Sequence, residues 1–225
     1  MKDRNKTAIV LGATGLVGGI LLDMLLKDVR YDKVVVFSRR ALEKSHYKLK
    51  VHIGNLLELE FFGEQFEGDE VYCCVGSTQA KTPELDSYKK IDFGIPVATA
   101  NLCVQKSIHT LIVVSAMGAN PKSRFFYNRI KGEMEDTVLR FKIAKIHIVQ
   151  PALIGGNRQE KRPAESFFKG VMGALDVLMV GPLQKYRMID AEHIAKAMLW
   201  LANHPFEKER IPSDTLRKLG SYAAS

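Results

Sequence analysis

The chain has 225 residues, of which 46% are hydrophobic and 26% charged, and carries a formal net charge of +8. This composition fits one α/β domain with a real core and excludes a low-complexity chain, and no run approaches the ~18 apolar residues of a membrane-spanning helix. Lysines and arginines are spread among acidic residues without interleaved aromatics, so the charge reads as a solvated basic surface holding a local phosphate site, with neither nucleic acid nor membrane as a partner.

In chain order, "TAIVLGATG" (7–15) predicts a buried strand ending in glycine-rich turn chemistry, and "LVGGILLDMLLKD" (16–28) predicts a helix. "KVVVFSRR" (33–40), "KVHIGNL" (50–56) and "DEVYCCVG" (69–76) are the next strands, and a long helical pattern covers 83–106. "HTLIVVSAMGA" (109–119) is the fifth strand, a second long helix covers 127–141, and "KIHIVQPALIGG" (145–156) is the sixth strand with its exit loop. Continuous apolar strands alternating with helices predict a doubly wound parallel sheet with helices on both faces. Residues 157–189 carry Pro163, Pro182 and a helical stripe but little strand. They are too few for a core of their own and are assigned as a small C-terminal cap on a single domain, 1–225. "DAEHIAKAMLWLANHP" (190–205) predicts a final helix with Asp190 as N-cap and Pro205 past its end, followed by a polar tail.

The opening residues run from charges straight into the first strand, without a signal-peptide core, so a soluble cytoplasmic protein is expected. Cys73, Cys74 and Cys103 read as buried thiols in a reducing compartment. The six histidines show no metal-ligand spacing, and no metal site is expected.

Gly12-Ala13-Thr14-Gly15-Leu16-Val17-Gly18 has the spacing GxxGxxG between strand and helix. Such a turn brings backbone close to a pyrophosphate, and the helix N-terminus adds N–H groups and partial positive charge. Gly12, Thr14, Gly15, Leu16 and Val17 are therefore the candidate phosphate-binding residues. In NAD-binding folds of this type an acid stands at the end of the second strand, about 20 residues on, and holds the ribose 2′-OH. Here that place reads Ser38-Arg39-Arg40. Two guanidinium groups and a hydroxyl suit a 2′-phosphate, so the predicted cofactor is NADP(H).

Tyr127 and Lys131 are four residues apart and share one helix face. An ammonium beside a phenol lowers the phenol pKa and fits it for proton transfer to a carbonyl oxygen or from an alcohol. Ser115, at the end of the fifth strand and twelve residues before Tyr127, stands where open α/β sheets hold ligands. Ser115, Tyr127 and Lys131 are thus the candidate catalytic set.

With "GATGLVGG", "SRR", "GNL", "CCVGST", "VSAMGA", "YNRIKGEME" and "QPALIGG" in this order, the chain resembles the atypical or extended short-chain dehydrogenases/reductases. More narrowly it is similar to the TIP30-related NAD(P)H-binding oxidoreductase family, over about residues 7 to 202. The resemblance implies that Asn55 and Leu56 contact the adenine, Cys74, Val75 and Gly76 pass the adenine ribose, and Pro151, Ala152, Leu153 and Ile154 support the nicotinamide carboxamide. It also implies that Lys131 bonds the nicotinamide ribose. Two departures stand out: "CCVG" replaces an Asn-x-Ala-Gly stretch after the fourth strand, and Ala152 replaces a frequent glycine.

These readings predict an NADPH-dependent oxidoreductase that reduces a carbonyl or oxidises an alcohol on a small molecule. Ser115 would orient the carbonyl, Tyr127 protonate it and Lys131 tune Tyr127. Phe167, Phe168, Met172, Leu175, Leu178 and Met179 in the cap are candidate pocket residues, or plain packing. The alternative is an NADPH-binding regulator with little turnover. A nucleotide-sugar epimerase or dehydratase usually needs a larger C-terminal domain than this chain offers. A homo-oligomer through the two long helices is a fold-level expectation.

Overall fold

Seven parallel strands form the sheet of the computed structural model, which describes residues 5–77, 82–155 and 186–222. The strands are β1 (Lys6–Leu11), β2 (Tyr31–Ser38), β3 (Leu49–Ile53), β4 (Glu70–Cys73), β5 (Thr110–Val114), β6 (Lys145–Gln150) and β9 (Arg210–Pro212). Their order is β3-β2-β1-β4-β5-β6-β9, and every pairing is parallel. A separate two-stranded ribbon joins β7 (Ile154–Gly155) to β8 (Ile189–Asp190). The chain winds outward from β1 to β3, then returns to the other side of β1 as β4. This reversal opens a crevice at the carboxyl ends of β1 and β4, the usual ligand position in such sheets.

Strand alternation explains the unbroken apolar runs. Ala8, Val10, Val34, Val36, Ile112 and Val149 face α1 (Leu16–Lys27), α5 (Ala191–Asn203) and α6 (Ser213–Tyr222). Ile9, Leu11, Val35, Phe37, Leu111, Val113 and Ile148 face α3 (Ile95–Gln105) and α4 (Phe126–Val138) on the other side. Each fully buried aliphatic side chain contributes about 1.5–3 kcal/mol. Asp190 caps α5 as expected, its side chain accepting from the Glu192 N–H at 2.8 Å. The thiols of Cys73, Cys74 and Cys103 are free, with Cys73 and Cys103 buried.

The polar tail and the 83–106 helix differ from the sequence reading. The polar tail holds a seventh strand and a further helix, because Ile211 pairs with Val149 and is buried. Three residues are too few to show an alternating pattern. The helix expected over 83–106 is α2 (Leu85–Lys89), a π turn (Lys90–Gly94) and α3 in series. Pro96 has no N–H and its ring crowds the carbonyl four residues back, that of Asp92, so the regular ladder opens there. The cap assigned to 157–189 and its six apolar candidates lie outside the described residues, except for its last stretch, Tyr186–Ile189.

At the amino ends of the strands, away from the crevice, Glu70 is buried. It accepts from the Tyr31 hydroxyl at 2.5 Å, the Tyr72 hydroxyl at 2.8 Å and Lys6 Nζ at 2.7 Å, and Asn203 links this cluster to α5. On β6, His147 is buried against Phe206, with Nδ1 2.8 Å from the Lys208 carbonyl and Nε2 without a hydrogen-bond partner among the described residues. Burial pushes the His147 pKa below its ordinary value, the Lys208 carbonyl opposes this, and Lys145 adds to the lowering. Below about pH 6.5 the unfolded chain therefore takes up a proton that the folded chain refuses. Stability is expected to fall as pH drops from about 6.5 towards the depressed value, by at most about 1.4 kcal/mol per pH unit. Urea unfolding between pH 7.5 and 5.5 checks this, and His147→Gln should flatten that part of the profile.

Candidate active site

The turn after β1 is shaped for a phosphate. Gly12 has φ +82°, and a Cβ there would lie 2.6 Å from the Cys74 carbonyl oxygen. The Gly15 N–H closes the turn onto the Gly12 carbonyl at 2.9 Å. Gly15 is the N-cap of α1 and supplies no side-chain cap, so the first-turn N–H groups have no competing side chain. Thr14 and Gly15 are exposed, Leu16 is half-buried, and Val17 is buried and packs into the core.

Register places β2 beside this turn, since Leu11 pairs with Phe37. Ser38 is buried and its Oγ accepts from the Arg40 N–H at 3.3 Å. Arg39 and Arg40 are exposed, and neither is ion-paired among the described residues. After β3, the Asn55 side chain accepts from the Leu57 N–H at 3.1 Å and caps a 3₁₀ helix (Leu56–Phe62). Leu56 is buried in the core, so its backbone rather than its side chain is left for a ligand.

The exit of β4 joins the turn to the catalytic candidates. Gly12 lies against Cys74 and Val75, while a Cβ on Gly76 would stand 3.5 Å from Asp92 Oδ1 and 3.6 Å from Lys131 Nζ. Lys131 Nζ and Asp92 Oδ1 are 2.7 Å apart, with side-chain exposures of 4% and 0%. The other Asp92 oxygen accepts from the Ser77 N–H at 2.7 Å. Burial pulls the Lys131 pKa down, but attraction to Asp92 and to Tyr127 outweighs it and the net direction is up. Tyr127, in the first turn of α4, is 37% exposed, and its ring centroid lies 6.3 Å from that of Tyr88. Burial, then the charges of Asp92 and Tyr127, push the Tyr88 phenol well up.

Ser115 follows β5 and is held by its N–H to the Val149 carbonyl at 2.8 Å. Its Oγ donates to Glu135 Oε1 at 2.5 Å. Glu135 is buried and also accepts from Gln150 Nε2 at 3.0 and 2.9 Å and from Arg210 Nε at 2.9 Å. Tyr127, Lys131 and Glu135 thus follow one another at i, i+4 and i+8 along one face of α4. The hydroxyl assigned to polarise a carbonyl gives its one proton to Glu135. After β6, the Pro151 carbonyl accepts from the Met117 N–H at 2.9 Å and the Leu153 carbonyl from the Ile189 N–H at 3.0 Å. Pro151 and Ala152 are buried, Leu153 is exposed and Ile154 half-buried.

The structure thus brings Gly12, Cys74, Val75, Gly76 and Lys131 into one crevice, with Ser38, Arg39 and Arg40 beside its turn. Sequence reasoning missed Asp92 and Glu135. The signals were present: a proline four residues after Asp92, and Glu135 continuing the Tyr127/Lys131 spacing. The uncapped turn, the close approach at Gly12 and the arginine pair fit a dinucleotide.

Residues 8–212 match the family model described as the NAD dependent epimerase/dehydratase family. Protein HTATIP2 of Rattus norvegicus is 29% identical over 178 residues, covering 77% of this chain and 73% of that protein. Protein FMP52-1, mitochondrial, of Scheffersomyces stipitis is 30% identical over 183 residues, covering 79% of this chain and 76% of that protein. Among solved structures, MoeE5 in complex with UDP-glucuronic acid and NAD matches with TM-score 0.69 at 17% identity, covering 91% of this chain and 74% of that one, a likeness of fold. The mitochondrial name of the fungal relative overturns the cytoplasmic location expected from the opening residues. No helix among the described residues is long and apolar enough to cross a membrane. The resemblance to the TIP30-related oxidoreductases is borne out, and the chain belongs to the NAD dependent epimerase/dehydratase family of Rossmann-fold, oxidoreductase-type proteins.

Proposed function

We propose that the protein is an NADPH-dependent oxidoreductase acting on a carbonyl or alcohol of a small molecule. The observation that carries this reading is the junction at Gly76, where the end of the dinucleotide crevice meets the Lys131–Asp92 pair beside Tyr127. The turn from Gly12 to Val17 and the N-terminus of α1 would hold the pyrophosphate. Ser38, Arg39 and Arg40 would take the 2′-phosphate; a carboxylate at that place would repel it. Asn55 and Leu56 would border the adenine, Cys74 to Gly76 the ribose, and Pro151 to Ile154 the carboxamide. When bound, the cofactor supplies the hydride. Tyr127 holds or releases the proton at the substrate oxygen, and Lys131 binds ribose and stabilises the phenolate. Ser115, its O–H donated to Glu135, presents lone pairs that would orient a substrate hydroxyl. The partner is a small molecule rather than nucleic acid, and pairing of the α3/α4 faces would make a homodimer.

One observation favours a second reading, an NADPH-binding regulator: Glu135 occupies the donor that a carbonyl needs from Ser115. NADPH consumption with a panel of aldehydes, ketones and quinones, and NADP⁺ reduction with alcohols, separates the two. Tyr127→Phe is expected to lower turnover by about 10²-fold or more while cofactor binding persists, and NADH should bind more weakly than NADPH. Tight NADPH binding with no turnover by the wild type would favour the regulator. Turnover retained by Tyr127→Phe would place the chemistry elsewhere.

A further inference from the structure

We infer that Asp92 is a positioning residue that keeps Lys131 protonated and aimed at Tyr127 from inside the fold. The inference rests on the site reading above and adds to it a residue which that reading does not require.

The missing N–H of Pro96 opens the helix ladder into the π turn Lys90–Gly94. The turn carries Asp92 inward while its neighbours Lys89 and Lys90 stay exposed. A carboxylate with no exposed surface must be held by donors. Asp92 is held in two ways: the Ser77 N–H donates to Oδ2, and Oδ1 is ion-paired with Lys131 Nζ. Both belong to the reaction site, one being main chain just past Gly76 and the other a catalytic candidate. Asp92 therefore ties the exit of β4 to α4 across the crevice.

Lys131 has the complementary problem. An ammonium this deeply buried loses its hydration, which favours the neutral amine by as much as several pKa units. The titratable groups facing it are Asp92 from the π turn, Tyr127 from its own helix and Cys73 from β4, with Tyr88 of α2 packed behind Asp92 and Tyr127. The Lys89–Glu133 pair, at 4.0 Å, is solvated, with side-chain exposures of 52% and 35%. Asp92 is the one carboxylate in contact with Lys131 among the described residues. Without its charge, burial would decide the protonation state and a neutral Lys131 would no longer stabilise the Tyr127 phenolate.

The test uses cofactor-free full-length protein, without substrate, so a failure of the oxidoreductase reading leaves it intact. Lysine labelled with ¹³C at Cε and tyrosine labelled at Cζ are titrated by NMR, with Lys131→Met and Tyr127→Phe assigning the two signals. Lys131 of the wild type is expected to stay protonated beyond the ordinary lysine value of about 10.4. In Asp92→Asn, which keeps an acceptor for the Ser77 N–H, Lys131 should titrate lower by roughly two units or more, with Tyr127 titrating higher than in the wild type. A wild-type Lys131 that titrates below the ordinary value, an unchanged Lys131 in Asp92→Asn, or a Tyr127 that titrates lower there would each overturn the proposal. If Asp92→Asn does not fold, the wild-type titration alone decides.

Discussion

Glu135→Ala is expected to destabilise the protein by about 3 kcal/mol, the cost of removing one member of a buried charged network. Its carboxylate is buried and accepts from Ser115, Gln150 and Arg210. Without it, the Ser115 hydroxyl and the Gln150 amide lose their acceptor together, and a cavity remains between α4 and the sheet. Arg210 tempers the loss, since its side chain is 41% exposed and also donates to Asp136 at 2.6 Å, so it can turn to water. Ser115→Ala removes one donor and leaves Glu135 with Gln150 and Arg210, so it should cost only about 1 kcal/mol. Thermal or urea unfolding of the two variants checks the ranking. For a domain of this size, 3 kcal/mol corresponds to a fall in Tm of roughly 6–12 °C. If Ser115→Ala proved as harmful as Glu135→Ala, the network would depend on the serine rather than on the carboxylate.

The same residues show what the sequence carries and what it conceals. The parallel sheet was legible because strands covered on both faces read as continuous apolar runs, as in "AIVL" and "KVVVF". The glycine turn was legible because its requirement is local: the positive φ at Gly12 and its contact with Cys74 come from one short loop and the adjacent strand. Strand β9 escaped because three residues carry no period, and its strand identity comes from pairing with β6. Asp92 and Glu135 escaped for a different reason. A charged residue in a helical pattern is usually solvated, and only tertiary packing reverses that. Asp92 lies 39 positions before Lys131 and Glu135 lies 20 after Ser115, so neither pair is visible as a spacing. What the sequence did contain was Pro96 inside a helical stretch, a local disagreement of the kind that marks strained or functional places.

Gly12→Ala and Gly15→Ala are expected to separate folding from cofactor binding. At Gly12 an L side chain meets two obstacles: φ is +82°, and the new Cβ would lie 2.6 Å from the Cys74 oxygen and 2.9 Å from the Val75 nitrogen, both main chain. Backbone cannot rotate away as a flexible side chain does, so β1 and β4 must separate or the turn must refold. Either route costs on the order of 3 kcal/mol and disrupts the crevice, so NADPH binding should be lost along with stability. Gly15 is different. Its φ of −84° and ψ of 168° suit any residue, and the nearest atom to an added Cβ is the Gly12 oxygen at 3.2 Å. The folded protein should accept alanine there with a change of well under ~1 kcal/mol. That methyl, however, stands at the exposed mouth of α1, where a phosphate must come within hydrogen-bond distance of the first N–H groups. Gly15→Ala should therefore unfold like the wild type yet bind NADPH at least ~10-fold more weakly, as read by quenching of Trp200 or by the cofactor's own fluorescence. Unimpaired binding by Gly15→Ala would mean that the pyrophosphate does not approach over Gly15. Impaired stability in that variant alone would mean that the turn is tighter than its dihedral angles imply.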